Sequence, residues 1–220
     1  MNFLISVFAC SILQKFICLS SVNSKPLLVL LTSNRIVHYT TAISNYYLSS
    51  MEQYPIYWPQ FYTATVLEWK PLLKPDKYKD IIIKSLQHLT TNKKITLYAF
   101  VIMDNHIRLI WQALPGKTPA QLQHSFMKYT VQQIKFDLVQ NYLLVLDKFR
   151  VNAKDRTYQF WERNSLGIEL YSHIVFMKKL EYIHWNPVKA GLCSLPEEYY
   201  YSSACFYHTG IDDFNMLTHC

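Results

Sequence analysis

Hydrophobic and polar positions change period several times along this chain. Phe61 to Trp69 alternates like a strand, and Pro71 and Pro75 end it, because proline brings no N–H to a ladder. Asp76 can cap a helix running to about Thr91, with Tyr78, Ile82, Ile83, Leu86 and Leu89 at helical spacing. Past the polar Asn92-Lys93-Lys94, the runs Leu97 to Met103 and Ile107 to Trp111 are β-branched and aromatic. Asp104-Asn105 breaks them, which predicts two adjacent strands. After Pro115-Gly116, Thr118 caps a second helix, with Pro119 at its first position and Leu122, Phe126, Tyr129, Ile134 and Leu138 along it. The order β-α-β-β-α opens a ferredoxin-like split βαβ layout. A fourth strand is expected at Leu143 to Val151, and Glu169 to Glu181 predicts a further helix. The expected class is α+β: an antiparallel sheet with helices on one face, followed by a C-terminal helical segment. No internal repeat or low-complexity tract interrupts it.

Composition narrows the partners. At 220 residues and 26.1 kDa, half of them hydrophobic, the chain can bury the core of one ordinary domain and carry an extension besides. A net charge of +7 and a pI near 9.0 favour a polyanionic partner, nucleic acid or an anionic membrane surface, over an acidic one. Cys10, Cys18, Cys193, Cys205 and Cys220 are odd in number and form no Cys-x-x-Cys pair, so they suggest neither a disulfide framework nor a zinc site, and a reducing setting fits. From Met1 to Ser50 the only charged residues are Lys15, Lys25 and Arg35. The apolar start at Phe3 to Ala9 is cut short by Lys15, well below the ~20 residues of a membrane span, so no membrane partner is expected. An anchor in this segment would rest on that short run alone. Two parts are expected: residues 1–50, an extension that is poorly ordered or lies upstream of a functional start at Met51, and residues 51–220, the working domain.

Chemistry concentrates in three segments. In Leu97 to Gln112 a single histidine, His106, opens the second of the paired strands; alone, such a histidine is more often a hydrogen-bonded structural residue than a ligand. Ser125 to Gln133 places Tyr129 between Lys128 and Thr130, with Gln133 one helical turn further on the same face. The third is Tyr182-Ile-His-Trp-Asn-Pro-Val-Lys-Ala-Gly-Leu192. Asn186-Pro187 there can be a turn or helix stop, and Gly191 a left-handed cap.

Taken in order, and spanning Phe61 to about Ser203, these segments resemble the single-tyrosine transposases and their REP-associated relatives. Those proteins carry a His-hydrophobic-His signature, a tyrosine helix, and a Tyr-Ile-His-x-Asn-Pro-Val-x-Ala-Gly-Leu block. The resemblance implies a small sheet that carries metal ligands and a second helix that carries the nucleophile. On this chain it makes Tyr129 the nucleophile, forming a 5′-phosphotyrosine intermediate, and His106 and Gln133 ligands of Mg²⁺ or Mn²⁺. It further implies a cytoplasmic, nucleoid-associated transposase acting on single-stranded DNA hairpins from palindromic repeats, and pairing of two copies through the sheet. Lys128, Lys135, Trp161, Arg163, His184, Asn186 and Lys189 are the expected DNA contacts, with Trp161-Glu162-Arg163 similar to the family's Trp-Gln-Arg patch.

One departure governs what carries over: Arg108 stands where the family has its second histidine. A guanidinium stays protonated and has no lone pair, so it cannot be a ligand, and it repels a cation. It can instead pair with the scissile phosphate, which makes Arg108 a catalytic candidate in its own right. Two outcomes stay open: a transposase impaired in cleavage, and a non-catalytic DNA-binding protein of the same fold.

Overall fold

The structure, a computed structural model, describes residues 18–22, 25–32, 35–38, 57–163 and 165–219. The chain divides into two compact units, Met1–Tyr54 and Pro55–Cys220. Within the first, β1 (Cys18–Val22), β2 (Lys25–Thr32) and β3 (Arg35–His38) form an antiparallel sheet in chain order. Apart from these strands, the expectations for residues 1–50 and for a start at Met51 lie outside the described residues.

The second unit is α+β. Its elements run β4 (Gln60–Thr65), α1 (Asp76–Thr91), β5 (Ile95–Ile102), β6 (His106–Ala113), α2 (Pro119–Asn141), α3 (Leu143–Asp147), β7 (Arg150–Ala153), β8 (Arg156–Tyr158), β9 (Leu166–Glu169), α4 (His173–His184), α5 (Asn186–Lys189) and α6 (Ala204–Thr209). The main sheet is four-stranded and antiparallel, in the order β5-β6-β4-β9. Two interleaved βαβ halves produce this order, the ferredoxin-like arrangement.

Three expectations are corrected. Leu143–Asp147 is a short helix rather than the fourth strand. Its apolar run does not alternate, and Leu143 and Leu144 stand exposed while only Leu146 is buried. The strand that completes the sheet is β9, four residues that include Gly167, too short to show as a period. A Cβ at position 167 would stand only 3.1 Å from Gln123 Nε2, a close approach that suits glycine. Glu169 therefore ends a strand, and the following helix begins at His173 after extended backbone at Ser172. Finally, the strand from Phe61 stops at Thr65, and Leu67–Trp69 form a 3₁₀ turn.

Both faces of the sheet are covered. On one, Ile107, Leu109 and Trp111 of β6 and Tyr62 and Ala64 of β4 pack with α1 and α2 through Ile82, Leu86, Leu122, Phe126 and Ile134. Thr118 and Gln121 close a capping box at the start of α2, and Asp137 accepts hydrogen bonds from Lys77 (2.5 Å) and Tyr78 (2.7 Å), tying the two helices together. On the opposite face, Phe61, Val101, Met103 and Ile110 meet Phe176, Leu180 and Ile183 of α4, spaced to give that helix one apolar stripe. A bulge between Leu97 and Ala99 lets β5 serve both layers: Ile95, Leu97, Phe100 and Ile102 face the first, Tyr98, Ala99, Val101 and Met103 the second. The outer edge of β5 is paired with the C-terminal segment, where the Thr218 N–H donates to Leu97 (2.9 Å), Ser203 to Phe100 (3.0 Å) and the Ile102 N–H to Tyr201 (2.9 Å).

Candidate functional site

Alternation along β6 decides which side chains meet. With Ile107, Leu109 and Trp111 committed to the α1–α2 layer, His106, Arg108 and Ile110 turn toward α4. The register agrees, because Arg108 pairs across with Val101, which packs in the α4 layer.

His106 is 8% exposed and Trp69 meets it edge-on at 5.7 Å. Its Nε2 lies 2.6 Å from Arg108 Nη1, and its Nδ1 lies 2.7 Å from Asn105 Oδ1. Since Arg108 can only donate, Nε2 must accept, and Nδ1 carries the hydrogen donated to Asn105. Burial and the neighbouring guanidinium push the imidazole down to about 4, so it is neutral near pH 7. Trp69 and Glu68 both hold positive φ, 57° and 54°, a left-handed backbone rare for such residues and held here by a 2.8 Å bond from Glu68 N–H to Glu162.

Arg108 is the hub. Nη1 donates to His106 and to Asn186 Oδ1, and the guanidinium carbon lies 4.8 Å from the centre of the Tyr182 ring. Asn186 in turn donates to the backbone carbonyl of Tyr182. Tyr182 and Asn186 are four residues apart where α4 runs into α5, so one near-continuous helical turn presents both to β6. Lys179 Nζ lies 4.7 Å from the Phe61 ring and 5.7 Å from that of Tyr182, and Lys189 Nζ is also 5.7 Å from Tyr182. Among the described residues, no ion pair engages Arg108, Lys179 or Lys189.

His106, Arg108, Asn186 and Lys189 are thus brought together. Tyr129 and Gln133 are not: both are exposed on α2, whose buried side packs on the opposite face of the sheet from His106. Lys128 and Lys135 share that helix; Lys135 lies 5.2 Å from the Tyr158 ring. Trp161 is 6% exposed, bridged to Val66, its indole N–H buried without a partner, so its ring offers no open stacking face. Arg163 is exposed beside Asp155. His184 faces inward, its Nε2 3.0 Å from Ser203 Oγ, and burial holds its imidazole down at about 4. Sequence reading missed Tyr182 as the central aromatic of the cluster, although it already stood at the head of the quoted block.

A divalent cation does not suit this donor set. Arg108 engages both His106 Nε2 and Asn186 Oδ1, and the described residues contain no group of three or more His, Cys, Asp or Glu side chains able to hold a metal. No described helix is long and apolar enough to cross a membrane.

No protein-family model matches the sequence, and no curated protein sequence does. Among solved structures, a REP-associated tyrosine transposase bound to a REP hairpin has the same fold: it is 14% identical, covers 77% of this chain and 91% of its own, and superposes with a TM-score of 0.53. A transposase candidate from Deinococcus radiodurans R1, also 14% identical, covers 60% of this chain and 92% of its own at a TM-score of 0.39, too low to carry any argument. At such identity the likeness establishes the fold.

Proposed function

We propose that this chain is a DNA-binding protein on a transposase scaffold, and that it takes hairpin-bearing single-stranded DNA on the surface around Tyr182. The observation that carries this is Arg108, a partly buried cation with no carboxylate partner among the described residues, beside a half-exposed tyrosine ring and two unpaired lysines. An unneutralised cation out of water is costly, and a phosphate restores its balance. Tyr182 and Trp185, both more than a third exposed, are available for base stacking. The relative bound to a REP hairpin supports this substrate class. Fluorescence anisotropy with a hairpin oligonucleotide is the test: salt-sensitive binding, stronger than for duplex of equal length, is expected, and binding indifferent to salt refutes the reading.

The contact of Arg108 with Tyr182 favours a second, catalytic reading in which Tyr182, not Tyr129, is the nucleophile. Its Oη bonds to phosphorus and the P–O3′ bond breaks. The strand is left as a 5′-phosphotyrosine and a free 3′-hydroxyl, and the phenolic proton passes through solvent to the leaving oxygen. Arg108 supplies the positive charge facing the non-bridging oxygens.

A further inference from the structure

Arg108 occupies the space between two side chains whose lone pairs point at one spot. His106 Nε2, forced into its acceptor form, and Asn186 Oδ1 both receive Nη1 hydrogens of the same guanidinium. Fixed in this way, Nη1 is fully used, and the Nε–Nη2 edge is the part left to meet a ligand. A planar guanidinium held from one side presents a fork that matches two oxygens of a phosphate. The Lys179 and Lys189 ammonium groups lie near the same tyrosine ring, so three cations stand around one aromatic side chain with no carboxylate paired to any of them among the described residues.

We infer that Arg108 stands in for a divalent cation: with Lys179 and Lys189 it forms a phosphate site that binds a nucleic-acid strand without any metal. This rests on the DNA-binding reading for the identity of its ligand, but not for its chemistry. Histidine and asparagine here act as acceptors that hold an internal cation in place, rather than as ligands of an external one. The phosphodiester supplies the anion that the fold leaves out.

The test uses the full chain and two probes, a fluorescein-labelled hairpin oligonucleotide read by anisotropy and inorganic phosphate read by ³¹P line broadening, each with EDTA and with added Mg²⁺. Oligonucleotide affinity is expected to be the same within about twofold in both conditions. Arg108→Gln should weaken it about tenfold, and the Lys179→Gln/Lys189→Gln pair should lower the salt slope by about two. Arg108→Lys, which keeps the charge and loses the fork, guards against a folding defect and should retain part of the affinity. Binding of both probes only with Mg²⁺, or unchanged binding by folded Arg108→Gln, overturns the inference and leaves the DNA-binding reading in place. Phosphate binding in EDTA that depends on Arg108, without oligonucleotide binding, upholds the inference and removes the DNA-binding reading.

Discussion

Replacing Arg108 with histidine should convert an internally occupied site into a metal site. A first-row metal sits about 2.0–2.2 Å from an imidazole nitrogen, yet Arg108 Nη1 already lies 2.6 Å from His106 Nε2, so ion and guanidinium cannot coexist. For the wild type to take a metal, Arg108 must swing away and give up hydrogen bonds to His106 and Asn186. Bonds to a charged group contribute roughly 1.5–3 kcal/mol each, and with the lower figure for a partly exposed side chain the two sum to about 3 kcal/mol. In Arg108→His that cost disappears and an imidazole appears two residues from His106 on the same strand face, beside Asn186. Mn²⁺ should therefore bind the variant at least ~100-fold more tightly than the wild type, the equivalent of ~2.7 kcal/mol. Loss of the free-Mn²⁺ electron paramagnetic resonance signal on titration measures it. Equal Mn²⁺ affinities, or tight binding by the wild type, would show that Arg108 does not hold the position assigned to it.

Any covalent adduct formed on a hairpin oligonucleotide should vanish in Tyr182→Phe and persist in Tyr129→Phe, as read by denaturing gel; an adduct that survives Tyr182→Phe returns the nucleophile to α2. Phe126→Ala should lower unfolding free energy by about 3–5 kcal/mol in urea melts, because the ring is 1% exposed and wedged against Trp111 in the layer joining α2 to the sheet. His184 titrates at about 4 when folded and near ~6.5 when unfolded, so between these values the unfolded chain binds the extra proton. Stability should thus be full above pH ~6.5 and fall on the order of 2 kcal/mol as pH drops toward 4, after discounting for partial exposure, and His184→Gln should flatten that slope in a series of melts.

How much of this was legible depended on the range of the interactions. Local patterns marked α1 and α2 well, since Pro71, Pro75, Thr118 and Pro119 punctuate them and each buries one regular stripe, although α1 starts on Pro75 with Asp76 inside its first turn and not as its cap; β-branched and aromatic composition marked β5 and β6. β9 was hidden because four residues with a glycine carry no period, and Leu143–Asp147 imitated a strand by composition alone. The site was harder. A tyrosine followed four residues later by an amide occurs twice, as Tyr129–Gln133 and Tyr182–Asn186, and nothing local says which faces His106. The crossovers decide that: both βαβ connections place α1 and α2 on the side taken by Ile107, Leu109 and Trp111, so His106 and Arg108 are left to α4. The pairing of the catalytic candidate with Arg108 was thus a property of layer order.

The bulge at Tyr98 acts as a parity switch. Before it, odd-numbered residues of β5 face α1 and α2; after it, odd-numbered residues face α4. Loss of the Tyr98 codon would make Leu97 and Ala99 consecutive rungs and keep Phe100 and Ile102 in their layer, whereas straightening the bulge with Tyr98 retained would exchange the layers, sending Phe100 and Ile102 where Val101 and Met103 belong. The length of β5 can therefore change at the bulge, by loss of Tyr98 or Ala99, without exchanging the layers, while a residue lost from the regular part of the strand puts its two ends out of phase.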